Sequence, residues 1–505
     1  MKKLVLLTIV FCLFANLPAQ EIERRFVKDS LDNYINEALK TWKIPGIAVA
    51  IVKDGKIVLA KGYGLCDLEK KDAVNENTIF MIGSNTKAFT GTLMAMLANE
   101  KKCSMDDKVV KWIPGFTMKD AWVANQVNLT DILCHRIGME TFQGDFMYWD
   151  SDLKNEEVIQ KFGQLTPTYD FRTKWGYTNA GFTIAAEVMK KITGETWEGN
   201  LKDKILTPLQ MSRTIPLSAD LPKQSNIATP YTLVFDTIKK LPFPVIDNLA
   251  AAASMGSSVQ DMSKWLICLL DSGKFRNKPV IPYPAIKTSQ TPKSIIGNAR
   301  PLFNRSHFRL YGLGWDLQDY EGKQIVYHNG GVNGFVTSVT LVPTEKLGIV
   351  VLTNTDQNYF YEALRWEILD AYMGLPFRNY SSVYNGYYKR SMSRDLSEFN
   401  AWKDSVMKKP ANTDLKKYTG KYSHPVYGYL NITETSGKLK VSFEHHTKKS
   451  ATLEYMSAGR FLCTFSDLTY GIKPWDFNIE NNKVKSLILR VADFLEFTTY
   501  DFVKL

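Results

Sequence analysis

Residues 85–98 hold Ala88, Phe89 and the unbroken run Leu93 to Ala98, and they leave almost no polar face. A helix that is apolar all round must be enclosed on every side. That demand sets the architecture, because layers of other elements have to surround it. The sequence offers them. Leu31, Tyr34, Ile35, Ala38, Leu39 and Trp42 recur at helical spacing, and Pro45-Gly46 ends that helix. Ile47 to Val52 and Ile57 to Ala60 flank Asp54-Gly55 and predict a tight hairpin. A further helix runs through Ala185, Val188, Met189 and Ile192 to Gly194. Near residue 340 come two strand candidates, Val336 to Val342 and Leu347 to Thr353, and then a helix from Tyr359 to Met373 that stops at Gly374. Strands first, helices between and strands last predict one sheet built from both ends of a domain and backed by helices.

The chain has 505 residues, room for a large core and a smaller module. At 45% hydrophobic and 23% charged it is not a disordered, collagen-like or coiled-coil protein. Met1-Lys2-Lys3, the apolar stretch Leu4 to Phe14 and Pro18-Ala19-Gln20 predict a signal peptide over 1–20, and hence an exported protein, periplasmic or extracellular, with no stable membrane insertion once it is cut. Its removal takes two lysines and no acid, leaving a basic chain whose Lys and Arg are scattered rather than clustered. Nucleic acid is therefore not an expected partner. The remaining cysteines are odd in number and widely spaced, and His445-His446 would point to opposite faces of a strand, so neither a disulfide framework nor a metal site is expected. Residues 376–410 show little apolar periodicity and read as a linker. From 411 to 505 the chain turns β-rich, with Leu439, Val441 and Phe443 alternating with polar residues, as in a small sandwich or barrel. The main domain then spans 21–375.

Three elements can carry chemistry. Ser84-Asn85-Thr86-Lys87 puts an amine three residues from a hydroxyl, on the same face of a helix. A serine needs such a base to become a nucleophile, and burial would lower the lysine pKa towards a neutral amine. Ser151 with Lys154 and Ser405 with Lys408 repeat the spacing, but only Ser84 opens a buried helix. Tyr177-Thr178-Asn179 is the second element: a tyrosine whose pKa is lowered by a nearby lysine can relay a proton, and the asparagine can hold Lys87 and a substrate carbonyl. The same triplet pattern at Tyr34, Tyr327 and Tyr429 fits helix or strand positions better. The third element is His328-Asn329-Gly330-Gly331, whose glycines permit close backbone approach, so that the amides of Ser84 and Gly331 can form an oxyanion hole. Specificity is expected from loops such as 140–172 and 232–250, whose shape no pattern discloses.

Taken in order, these segments resemble the serine β-lactamase and penicillin-binding superfamily, in its class C-like branch with D-aminopeptidases, carboxypeptidases and esterases. The likeness spans about residues 25–375. It includes Ile82 to Thr90, Tyr177-Thr178-Asn179, Ala252 to Ser258 with Asp261, Met262 and Trp265, Gly312-Leu313-Gly314-Trp315 and the His328 segment. The resemblance implies an α+β fold, an antiparallel sheet flanked by helices with a mostly helical subdomain. The segment from Tyr418-Thr419-Gly420-Lys421-Tyr422 onward resembles a β-domain often appended to such hydrolases. It further implies Ser84 as the acylated nucleophile, Lys87 and Tyr177 sharing base and acid work, Asn179 positioning substrate, and Gly330-Gly331 at the oxyanion site, with no cofactor and no metal. His328 stands where many members carry the lysine of a K-T-G motif, which weakens the case for binding a β-lactam carboxylate. His135-Arg136-Ile137-Gly138-Met139 departs from the usual His-Thr-Ser-Gly-Leu and is read as structural. The implied activity is a peptidase or esterase on D-amino-acid peptides or small esters. The alternatives are a β-lactamase and a non-catalytic protein that binds or senses cell-wall fragments. Because every motif precedes residue 411, deleting 411–505 is expected to leave the serine competent.

Overall fold

Strand β1 (Gly46–Lys53) shows why a layered domain forms. Ile47, Val49 and Ile51 join one apolar cluster, and Ala48, Ala50 and Val52 join another on the opposite face. A strand buried on both faces needs cover on both. In a computed structural model, which describes residues 26–300, 302–407 and 414–505, that cover is helical on either side. The predicted signal peptide lies outside the described residues.

The central sheet has nine antiparallel strands. With β2 (Lys56–Asp67) and β3 (Asp72–Ala73) come β4 (Ser294–Asn298), β5 (Phe308–Tyr311), β6 (Asp316–Tyr320), β7 (Lys323–Val332), β8 (Phe335–Val342) and β9 (Leu347–Thr353). Their order is β4-β5-β6-β7-β8-β9-β1-β2-β3, so the two ends of the domain meet where Val49 pairs with Val351. Helices α1 (Leu31–Trp42) and α5 (Phe360–Tyr372) cover the Ile47–Val49–Ile51 face. On the alanine face lie α2 (Thr86–Asn99) and α4 (Val259–Leu270), where Phe89 stacks on Trp265 with ring centres 4.2 Å apart. Helix α3 (Ala180–Thr193) packs against α2 in the helical region beyond the sheet. The apolar helix is thus enclosed as its composition demands: α2 is buried from Thr86 through Leu97.

The segment read as a linker is a 28-residue helix, α6 (Tyr380–Met407), about 42 Å long at 1.5 Å per residue. It buries Tyr380, Ser381 and Asn385 near its start and is otherwise half-buried or exposed, so no apolar stripe marks it. Beyond it eight strands close into a barrel: β10 (Gly420–His424), β11 (Gly428–Thr435), β12 (Lys438–Phe443), β13 (Ser450–Ser457), β14 (Arg460–Phe465), β15 (Ile472–Glu480), β16 (Lys483–Leu489) and β17 (Tyr500–Lys504). Closure comes from Tyr422 of β10 pairing with Lys504 of β17. Leu430, Ile432, Leu439 and Val441 fill the interior and alternate with outward polar residues.

One end of the barrel is stopped by the main domain. Phe146 enters it between Tyr427 and His446, with ring centres 5.7 and 5.0 Å away and both rings stacked on it. Around it, Tyr470 Oη and His446 share the Trp149 carbonyl at 2.8 and 3.2 Å. Lys449 bridges Asp150 and Asp467 at 2.8 and 2.5 Å. The interior of the barrel and the helical side of the main domain form one continuous apolar cluster. His445-His446 works here as a clasp: His445 Nδ1 meets Asp152 at 3.0 Å while His446 stacks inward.

Candidate active site

Ser84 sits in a single turn, Gly83–Asn85, immediately before α2. Gly83 has a φ of 52°, a conformation that favours glycine, and it leaves Ser84 half-buried while both neighbours are buried. The turn lies against the edge of β7. A β-carbon placed on Gly330 would fall 1.9 Å from the Ile82 carbonyl oxygen, so only glycine lets the two segments meet. Asn85 fastens the contact through Thr337 Oγ1 at 2.8 Å.

Lys87 is wholly buried, one turn along from Ser84. Its Nζ lies 3.1 Å from Ser84 Oγ, 2.6 Å from Asn179 Oδ1 and 3.0 Å from the Ala252 carbonyl. Burial pulls its pKa down to about 7, against a smaller opposing pull from Asp145. The partner set decides what the neutral amine does. Two of its three neighbours are carbonyl oxygens, which only accept, so they take the two N–H groups and leave the lone pair for the serine hydroxyl.

Tyr177 stands across the amine, its ring centre 4.6 Å from Lys87 Nζ. Its buried hydroxyl faces Ser84. Burial holds the phenol well above its ordinary value, with Ser84 pulling the other way. Tyr177 is therefore protonated at working pH and suits the role of acid. The ring is held from behind by His135, 4.3 Å away, whose Nδ1 accepts the Thr178 N–H at 3.1 Å. The His135 segment is a scaffold for Tyr177.

His328 is buried and neutral, its pKa pulled down to about 3 by burial first and by Lys87 second. Nδ1 faces the Asn329 carbonyl at 2.6 Å and so carries the proton, which leaves Nε2 to accept from Tyr311 Oη at 2.9 Å. Its ring lies 6.2 Å from that of Tyr177. Gly331 backs onto the Ser84 turn: a β-carbon on Gly83 would lie 3.0 Å from Gly331 N. Ser84, Lys87, Tyr177, Asn179, His328, Gly330 and Gly331 thus converge from α2, the start of α3 and β7.

Asp145 carries no motif and is found only in the fold. It is fully buried and takes the Asn179 amide on Oδ2 at 2.6 Å and the Tyr148 hydroxyl on Oδ1 at 2.7 Å. Burial pushes its carboxyl up to about 8. By holding Nδ2 it turns Asn179 so that Oδ1 faces Lys87. An acid set inside the aromatic run Phe142, Phe146, Tyr148 and Trp149 is the one signal the sequence offers for it. Ala252 lies in a segment that the resemblance includes, but its part is played by backbone, which no side-chain pattern reveals.

Comparison with known proteins bears on the fold and the family. A family model described as β-lactamase matches residues 31–372, and one described only as a domain of unknown function matches 404–503. The chain is 28% identical over 424 residues to an unguisins hydrolase (ungD') of Aspergillus campestris, covering 79% of this chain and 76% of that one. It is 28% identical over 355 residues to protein flp of Staphylococcus aureus strain MW2, covering 66% and 65%. The solved octameric penicillin-binding protein homologue from Pyrococcus abyssi superposes with a TM-score of 0.59 at 22% identity, over 94% of this chain and 99% of that one, a likeness of fold.

Proposed function

Because this chain belongs to the β-lactamase family, we propose that it is a serine hydrolase working through an acyl-enzyme on Ser84, with peptides or esters as substrates. The observation that carries the proposal is the Lys87 amine, buried, close to neutrality at pH 7 and 3.1 Å from Ser84 Oγ. Lys87 takes the Ser84 proton as Oγ attacks the substrate carbonyl carbon. The oxygen of the tetrahedral intermediate is held by the amides of Ser84 and Gly331. Tyr177 gives its phenol proton to the departing amine or alkoxide and regains one from the Lys87 ammonium. A water then attacks the acyl carbon with Lys87 accepting its proton, and the Lys87 ammonium returns that proton to Oγ as the C–Oγ bond breaks, which restores the Ser84 hydroxyl and the free amine.

Peptides, including those with D-amino acids, and small esters fit better than β-lactams. His328 is neutral and engaged on both nitrogens, so it offers no cation to a β-lactam carboxylate. Cell-wall fragments supply substrates of the favoured class. Export belongs to the proposal and rests on the N-terminal sequence alone.

Intact mass after fluorophosphonate treatment tests the reading. One adduct is expected on the wild type and none on Ser84→Ala. An unlabelled, folded wild type, or an adduct that survives Ser84→Ala, overturns it.

A further inference from the structure

We propose that the barrel loop between β16 and β17, residues 490–499, is a wall of the Ser84 cleft, and that Phe494 is a specificity-determining residue that favours an apolar, aromatic acyl group. The inference rests on the acyl-enzyme reading and goes beyond it, since it gives the second domain a part in the site.

Four observations place the loop there. First, the Phe494 ring covers the open side of Gly331: a β-carbon on that glycine would meet Phe494 Cε2 at 3.3 Å and Cζ at 3.8 Å. Gly331 in turn touches the Ser84 turn. Second, the ring is braced edge-on by Trp149, with centres 6.4 Å apart. Third, Phe497 stacks on Phe142 at 5.8 Å, and Phe142 meets Tyr177 edge-on at 5.5 Å, so the wall runs from the oxyanion glycine to the proton donor. Fourth, the loop is fastened. Glu496 is buried and accepts the backbone N–H groups of Gly144 at 2.8 Å and Phe146 at 3.0 Å, the Tyr427 hydroxyl at 3.0 Å, and the hydroxyls of Thr498 and Tyr500.

The chemistry of the wall follows from which side chains face out. Leu495 and Glu496 are buried beneath it, and Asp493 is paired with Lys473 at 3.1 Å. The ring of Phe494 is half-buried and that of Phe497 is 51% exposed, on a fastened loop beside a nucleophile. Exposed aromatic surface at a cleft is contact surface for a ligand. The acyl substituent hangs from the carbonyl carbon whose oxygen points at Gly331, while the leaving group departs towards Tyr177. Phe494 therefore meets the acyl side. On this reading residues 411–505 are not dispensable for activity, contrary to the expectation from motif order.

The test uses the full chain, as wild type, Phe494→Ala and Phe494→Leu, with p-nitrophenyl phenylacetate and p-nitrophenyl acetate. The readout is the ratio of the two kcat/KM values. Both substrates meet the same preparation, so any misfolded fraction cancels. The expected result is a wild-type preference for the phenylacetyl ester that falls about tenfold in Phe494→Ala and by less in Phe494→Leu. An unchanged ratio, with both rates moving together or not at all, overturns the proposal. Should neither ester turn over, acylation rates with a benzyl and a methyl phosphonofluoridate supply the ratio instead, and it is judged in the same way. A wild type that resists these as well overturns the serine hydrolase itself, a failure distinct from that of the loop.

Discussion

Two buried ionisable groups lie on either side of Asp145 and are treated in opposite ways. Lys87, on the main-domain side, has two carbonyl partners and a half-buried serine, and the tyrosine beside it faces that same serine. Glu496, from the barrel, has five donors: two backbone amides and the hydroxyls of Tyr427, Thr498 and Tyr500. A group held by few partners in a dry site changes protonation readily. A carboxyl that accepts from every side is fixed in place, and its removal strands the donors it served. The first arrangement makes a reagent and the second makes a fastening. The two are linked, because the amides that Glu496 holds flank Asp145, and Asp145 holds Asn179 against Lys87.

The contrast breaks most visibly in a pair of variants. Lys87→Met removes the base, and fluorophosphonate labelling of Ser84 is expected to slow by about a thousandfold. Its stability, read by urea unfolding, should shift by only about 1–2 kcal/mol, because a desolvated amine and its few hydrogen bonds nearly offset one another. Glu496→Ala should reverse the pattern. It leaves buried donors without an acceptor and should cost about 3–5 kcal/mol. If Lys87→Met destabilises as much as Glu496→Ala, the distinction between reagent and fastening fails.

The same contrast separates what the sequence discloses from what it hides. Ser84 and Lys87 are three residues apart on one helix, so their meeting is dictated by helical period. The sheet is legible for a like reason, since β1, β8 and β9 are apolar runs bounded by turns. Glu496 reaches Gly144 across 352 residues, and Phe494 reaches Gly331 by the docking of one domain on another. No local period encodes such a contact. Segment 140–172 shows the limit from the other side: its residues around Phe146 stop the end of a barrel, a role that exists only once the barrel is closed. Helix α6 reads as a linker because a helix that buries little of its surface carries no apolar stripe.

Asp145 sharpens the comparison, since it belongs to both networks. Asp145→Ala frees the Asn179 amide, and a displaced Oδ1 no longer orients the Lys87 lone pair. Acylation should fall by about 10–100-fold, a loss typical of a misplacement near the reacting atoms. Asp145→Asn keeps an acceptor for Asn179 and should lose less. Its signature is instead in the pH profile. The folded-state pKa of Lys87 is lowered from 10.5 to about 7, so the amine is a competent base above about pH 7 and protonated below it. The wild-type kcat/KM should therefore rise with pH and reach half its plateau near pH 7, since this parameter reports the free enzyme. Asp145 opposes burial at Lys87 only in its ionised fraction, and its own carboxyl is pushed up to about 8, so near pH 7 most of it is neutral. The acid limb of Asp145→Asn should therefore stay close to that of the wild type while the plateau falls, which marks Asp145 as a positioning residue. A limb displaced to lower pH by a full unit would mean that Asp145 acts on Lys87 as a charge.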